Sequence, residues 1–357
     1  MINHAFWKNK RVLVTGHSGF KGAWLCLLLS TFGARVTGFA RNCMPRPTLF
    51  DTLALSKDIL AIEGDVRDAE KVARTIREFQ PDVVFHLAAQ ALVLESIRAP
   101  QETFDINVNG TVNIIDAVRD YDRPIGLVLV TSDKVYKNTG ALRLFTEDDE
   151  LGGKDPYSAS KACAELAIAS MRDTYFPIQD YGKTHRVVLA SVRAGNVIGG
   201  GDRAENRVVP DIFRAVQTGK PIVLRRPDAT RPWQHVFGAL QGYLLLAQHL
   251  YGNAGFSGAW NFGPEPDHII PVGELVERFR AKMPERLRVE IKADAQNLES
   301  TNLGLDISKA KKALGYKPRW NLARTLDETH AWYEHFLADA SGIADFSRAQ
   351  ADEYFRA

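Results

Sequence analysis

The sequence predicts an α/β protein organised on a doubly wound parallel sheet, and two features carry that expectation. Across residues 11–193 one rhythm repeats, a short apolar strand, a turn, then an amphipathic helix, which calls for right-handed βαβ units and a sheet covered on both faces. Several strand segments are continuous apolar runs instead of alternating ones, as strands buried on both faces are.

In chain order the strand candidates are Val12–Thr15, Arg35–Phe39, Ile59–Glu63, Val83–Leu87, Gly126–Val130 and Arg186–Val192. Helical patterns lie between them at Gly19–Phe32, Asp68–Phe79, Glu102–Asp120 and Pro156–Arg172. Past Arg193 the rhythm breaks, with Gly199-Gly200-Gly201 and Pro210, Pro221, Pro227 and Pro232 punctuating shorter elements. Residues 1–193 are thus expected to form a dinucleotide-binding domain. Residues 194–340 are expected to form mainly a smaller α/β substrate-binding domain, some of whose elements return to the sheet. The polar residues 341–357 read as a loosely held tail.

Composition narrows the function class. Of 357 residues, 45% are hydrophobic and 25% charged, with a formal net charge of +2. No polybasic run points to nucleic acid or a membrane surface. The three cysteines, Cys26, Cys43 and Cys163, form no CxxC pair, which argues against a disulfide framework or a metal site and for a reducing compartment. The opening MINHAFWKNK has no apolar core of a signal peptide, and no apolar run reaches membrane-spanning length. A cytoplasmic location is expected.

The first strand runs into Thr15-Gly16-His17-Ser18-Gly19-Phe20-Lys21-Gly22 and then into a helical pattern. Such a turn cradles a pyrophosphate. Gly16 permits the tight bend, Gly19 lets the backbone approach the phosphates, and Gly22 lets helix and strand pack closely. Between the first strand and first helix of a βαβ series the motif predicts a Rossmann-type NAD(P) site; elsewhere it would be an ordinary turn. After the second strand stands Arg41, which suits the 2′-phosphate of NADP, can stack on adenine, or can simply be a solvated loop arginine. Asp65 is placed to meet the adenine, and the small Ala88-Ala89-Gln90 turn lets the cofactor lie close.

Tyr157 and Lys161 stand four apart at the start of a helical pattern, on one face. The lysine ammonium is expected to lower the tyrosine pKa towards a phenolate usable near neutral pH. Ser132 ends the fifth strand, where ligands of open α/β sheets bind, and can share a substrate proton with Tyr157.

With these residues the chain resembles the extended short-chain dehydrogenase/reductase family, also known as the NAD-dependent epimerases and dehydratases, over roughly residues 8–335. The resemblance implies that Ser132, Tyr157 and Lys161 oxidise a sugar hydroxyl while the nicotinamide takes the hydride. Beside the serine the chain reads Asp133-Lys134, where 4-epimerase relatives usually carry small or apolar residues. A 4,6-dehydration needs one acid and one base, so Asp133 is assigned as the acid for O6 and Lys134 as the base at C5. A strand-end Asp–Lys ion pair is the plain alternative. Lysine in place of the glutamate of dTDP-glucose dehydratases resembles the CDP-glucose 4,6-dehydratase branch. So do the segments Ser191–Asp202 and Arg231–Val236.

The resemblance implies cofactor contacts from Gly16, His17, Gly19, Phe20, Lys21, Gly22, Arg41, Asp65, Val66, Ala88, Ala89, Gln90, Asn107, Tyr157 and Lys161. It implies substrate contacts from Asn196, Arg207, Arg231 and His235. It also implies a homodimer or homotetramer formed through the Glu102–Asp120 and Pro156–Arg172 helices. The expected reaction converts CDP-D-glucose to CDP-4-dehydro-6-deoxy-D-glucose with NAD, NADP being the other candidate. Ala91, Leu94, Ile97, Val135 and Arg203 depart from the branch pattern and alter the expected sugar pocket. Three alternatives stay open: a dehydratase for another nucleotide sugar, a 4-epimerase or reductase that leaves Asp133 and Lys134 idle, and a non-catalytic dinucleotide sensor.

Overall fold

The computed structural model of the chain describes residues 1–42, 46–140, 143–292 and 303–356. Cys43 lies outside the described residues. Seven strands build the central sheet: β1 (Arg11–Thr15), β2 (Arg35–Ala40), β3 (Leu60–Glu63), β4 (Val83–His86), β5 (Ile125–Val130), β6 (Val187–Ala194) and β7 (Gly258–Phe262). They run in the order β7-β6-β5-β4-β1-β2-β3, and every neighbouring pair is parallel. The apolar runs explain why: all residues of β4, β5 and β6 are buried, which only a sheet covered on both faces provides.

The chain lays β2 and β3 on one side of β1, then returns to lay β4 on the other. The winding therefore reverses between β1 and β4, and the crevice at their carboxyl ends is where such sheets bind ligands. Thr15 of β1 sits opposite His86 of β4 there, with Thr15 Oγ1 2.8 Å from His86 Nδ1. Burial holds His86 neutral, pushing its pKa down to about 3.

The helix Phe20–Thr31 is buried from Gly22 through Leu29, because it lies between the sheet and later parts of the chain. Trp24 meets Phe237 edge-on at 5.0 Å, and its Nε1 donates to Gly200 O at 2.9 Å. One continuous hydrophobic cluster contains Trp24, Phe237, Trp260, Trp332 and Tyr354, joining residues on both sides of Arg193.

Three elements differ from the sequence reading. The helix expected over Glu102–Asp120 is instead Pro100–Phe104, a wide π turn at Asp105–Asn109, and Gly110–Asp116. The extra residue in that turn brings Asn107 inward, where it is 1% exposed. Strand β7, which the strand candidates do not include, is an element of the later half that returns to the sheet, beyond β6. The tail is not loose: Ile343–Phe355 is a helix, and Ile343, Ser347, Gln350, Ala351, Tyr354 and Phe355 are buried. These positions follow helical spacing, but two of the six are polar, which hid the stripe. Among the described residues, no helix is long and apolar enough to cross a membrane.

Candidate active site

The turn after β1 is fixed by its glycines. Gly16 adopts φ +72°, a conformation that costs other residues, and its N–H donates to Phe39 O at 2.8 Å. A Cβ on Gly16 would stand 2.8 Å from Ala88 N, and one on Gly22 only 2.1 Å from Gly16 O. The Ala88 turn and the glycine turn thus touch. The Phe20–Thr31 helix begins at Gly19 without a side-chain cap, which leaves its first N–H groups for an anion. A backbone cradle of this build fits the pyrophosphate of NAD.

At the adenosine end, the carboxyl ends of β2 and β3 enclose a hollow of about 220 Å³, lined by His17, Ser18, Arg41, Thr48, Phe50 and Glu63 among others. Gly38 makes room for the His17 ring, since a Cβ there would lie 2.4 Å from it. Arg41 is neither a lone loop arginine nor a free phosphate ligand: its guanidinium pairs with Glu102 at 3.1 Å and Asp65 at 3.5 Å. Burial pushes the Asp65 carboxyl up, but hydrogen bonds from Arg67 more than offset this and hold it below its ordinary value. Val66 packs under Gly110. Asn107 is a pin: it accepts from Gln90 N at 2.9 Å and donates to Gln90 O at 3.0 Å and Ser160 Oγ at 2.9 Å. It ties the Ala88-Ala89-Gln90 turn to the tyrosine helix.

The reactive groups meet where β5 ends. Past Val130 the chain makes a short helical turn, Asp133–Val135, and Ser132 caps it by accepting from Lys134 N at 3.2 Å. The helix Pro156–Tyr175 starts under an Asp155 cap, and Tyr157 N donates to Ser96 Oγ at 3.0 Å. This places the Tyr157 phenol near Ser132, which acts to lower its pKa, and lets Lys161 Nζ donate to Val130 O at 3.2 Å. Lys134 Nζ stands 5.9 Å from the Tyr157 ring centre. Ser132 Oγ donates to Asp133 Oδ1 at 3.1 Å, and Asp133 Oδ2, buried, has no partner. The five residues expected to act together are one cluster.

Their electrostatics correct one expectation. Burial raises the Tyr157 pKa, and the Asp133 charge raises it further; Ser132 and Arg207 pull it down without offsetting burial. Burial, with Lys21 nearby, also pushes Lys161 down to about 7. Burial also raises the Asp133 carboxyl, against the opposing charge of Lys134. A buried carboxyl kept high is poised to give up a proton, as a general acid must be.

The sequence reading missed the support beneath this cluster. Glu165, one turn past Lys161, accepts from Thr131 Oγ1, from Ser191 Oγ at 2.7 Å and from Arg193 Nη2 at 2.7 Å. Arg193 Nη1 also donates to Tyr136 Oη at 2.9 Å, and Tyr136 Oη donates to Asn261 Oδ1 at 2.7 Å. A single acidic residue inside the apolar run Ala162–Ala169 was the available signal.

Across the cleft, Arg207 pairs with Asp202 at 3.0 Å, and Arg231 is buried, donating to Thr230 O at 2.8 Å. Asn196 follows β6 directly, its carbonyl accepting from Gln234 N at 3.1 Å. His235 departs from expectation. Its ring lies 4.6 Å from both Phe237 and Trp320, its Nδ1 accepts from Phe237 N, and burial pushes its pKa down to about 3. It caps the helix Val236–Leu250 from within an aromatic core, a setting that the strand-end position in sequence did not disclose.

Comparison with known proteins adds to this geometry. The GDP-mannose 4,6-dehydratase family matches residues 13–329. The CDP-glucose 4,6-dehydratase of Salmonella typhimurium is 42% identical over 338 residues, 94% of either chain. The dTDP-glucose 4,6-dehydratase 1 of Escherichia coli is 25% identical, covering 90% of this chain and 92% of its own. Among solved structures, a dTDP-glucose 4,6-dehydratase from Bacillus anthracis in complex with NAD superposes with a TM-score of 0.76 at 22% identity, over 91% of this chain and 96% of its own. The epimerase Mth375 of Methanothermobacter thermautotrophicus superposes with a TM-score of 0.79 at 22% identity, covering 95% and 96%.

Proposed function

The chain belongs to the GDP-mannose 4,6-dehydratase family, and from that premise we propose that it is a nucleotide-sugar 4,6-dehydratase that converts CDP-D-glucose to CDP-4-dehydro-6-deoxy-D-glucose and water with NAD. The observation that carries the reaction type is Asp133, a buried carboxyl of raised pKa with one uncommitted oxygen, next to the serine of an oxidising triad. A 4-epimerase has no use for such an acid. The substrate class rests on the 42% identity to the Salmonella typhimurium enzyme.

In this reading Tyr157, beside Ser132, takes the proton of the C4 hydroxyl. When bound, NAD supplies the acceptor for the C4 hydride and returns that hydride to C6. The new ketone acidifies C5–H, Lys134 takes that proton, and a proton returns from it to C5 when the hydride reaches C6. Asp133 gives its own proton to the C6 oxygen, the C6–O bond breaks and water leaves. Lys161, on the same helix face as Tyr157, holds the phenol's surroundings positive once protonated. Gly16, Gly19 and the uncapped helix start hold the pyrophosphate, while Asp65 and Arg41 border the adenosine. Arg207, Arg231 and Asn196 face the nucleotide diphosphate of the substrate.

The enzyme is further assigned as a cytoplasmic homo-oligomer. Leu166, 59% exposed, lies on the helix Pro156–Tyr175, an apolar position suited to a second copy.

Incubation with CDP-glucose and NAD⁺ in D₂O, followed by NMR of the sugar, tests the reaction. The expected product is a 4-keto-6-deoxy sugar carrying deuterium at C5. A C4 epimer alone would overturn the reading. Turnover of another nucleotide glucose but not of CDP-glucose would overturn the substrate and keep the chemistry.

A further inference from the structure

Three polar groups near the reactive cluster have no hydrogen-bond partner among the described residues. Asp133 Oδ2 and Tyr243 Oη are buried without a hydrogen bond. The Tyr243 side chain is 0% exposed and projects from the helix Val236–Leu250. Lys21, in the glycine turn, forms no hydrogen bond or ion pair among the described residues, and its ammonium lies 5.9 Å from the centre of the Tyr243 ring. The three also act on one another electrostatically: Asp133 stabilises the charge of Lys21 and opposes ionisation of Tyr243. An orphan acceptor, an orphan hydroxyl and a cation that act on one another are what an ordered water satisfies.

The dehydration creates a water beside Asp133. We propose that Lys21, Tyr243 and Asp133 Oδ2 form a water-sized polar site that receives the hydroxyl expelled from the substrate's C6. The inference rests on the dehydratase reading for the origin of that water, not for the site itself. As Asp133 gives its proton to the C6 oxygen, the C6–O bond breaks, the C5–H proton passes to Lys134 and the C5–C6 bond gains the electron pair. The departing water then accepts from Lys21 Nζ, donates to the new Asp133 carboxylate and bonds Tyr243 Oη. Lys21 thereby acts on the leaving group, besides the cofactor contact that the resemblance implies. Tyr243 packs 6.0 Å from Phe262.

Tyr243→Phe tests this against the wild type with CDP-glucose. Single-turnover absorbance of the reduced cofactor separates C4 oxidation from the later steps. The expected result is NAD affinity within about twofold of wild type, undiminished oxidation, and elimination slowed about tenfold, so that reduced cofactor accumulates. Weakened NAD binding without accumulation, or unchanged kinetics, overturns the proposal. If the wild type dehydrates no nucleotide sugar, the functional reading fails, and a high-resolution crystal structure decides the site by itself. A water bridging the three groups in the wild type and absent from Tyr243→Phe supports it; no such water overturns it.

Discussion

A carboxyl side chain that is 3% exposed and keeps one oxygen unbonded is held at a cost to the fold, because buried polar atoms normally find partners. That arrangement predicts the behaviour of its variants. Asp133→Asn keeps the shape and hydrogen bond to Ser132 but cannot protonate O6, so dehydration should fall about 10²- to 10⁴-fold while NAD affinity, measured by fluorescence titration, stays unchanged. Lys134→Ala should abolish deuterium entry at C5 and leave C4 oxidation detectable in a single turnover. Lys161 carries a pH signature. Its pKa is near 10.5 when unfolded and about 7 when folded, so between those values the unfolded chain holds the extra proton and stability rises with pH. Urea unfolding without cofactor should show the wild type gaining stability relative to Lys161→Met from about pH 7 to about pH 10. Ser132, Tyr157 and Lys161 were legible because their spacing and strand-end place are rules of geometry. Glu165 was not, since a helical glutamate ordinarily faces water, and only three-dimensional neighbours reveal that it faces Arg193.

At the scale of elements, the glycine turn and the buried ion pair bear most of the load on the site. Gly22→Ala puts a methyl 2.1 Å from the Gly16 carbonyl, so the turn must open. Loss of NAD binding by calorimetry is expected, with a fold still detectable by circular dichroism. The Glu165–Arg193 pair, 2.7 Å apart and almost wholly buried, joins the tyrosine helix to β6. Glu165→Ala leaves an uncompensated buried guanidinium and should destabilise by about 3–5 kcal/mol in urea titration. The six strands of the first half were readable because runs such as Ile125–Val130 leave no polar face. The break in the helix over Pro100–Asp116 was not readable, because the π turn at Asp105–Asn109 contains no proline or glycine and Gly110 after it continues as helix; what demands it is Asn107 reaching Gln90 and Ser160.

At the scale of the molecule, the carboxyl-terminal helix is a structural part, not an appendage. Tyr354 Oη donates to Gln241 Oε1 at 2.9 Å and accepts from Arg319 N at 3.1 Å, and Phe355 meets Phe32 at 5.8 Å and Phe237 at 5.7 Å. Ending the chain before Ile343 strips cover from the Phe20–Thr31 helix. Burial of each large apolar side chain is worth about 1.5–3 kcal/mol, so the truncated protein should melt several degrees lower in a thermal shift assay, or fail to fold. Polar Ser347 and Gln350 concealed this helix from the sequence, although both are buried and Ser347 Oγ accepts from Trp332 Nε1 at 2.8 Å.

Strand β7 has a bearing on how the protein is made. It joins β6 across more than sixty residues of intervening chain, and its Asn261 accepts from Tyr136 and takes Glu147 as the partner of its N–H. A ribosome delivers residues 1–194 well before Gly258–Phe262 emerges. Until then β6 is an open parallel edge whose backbone groups lack a neighbour, and the arginine network behind Ser132 lacks its outer anchor. Nascent chains at that stage are the ones most exposed to edge-to-edge association and most in need of chaperone cover.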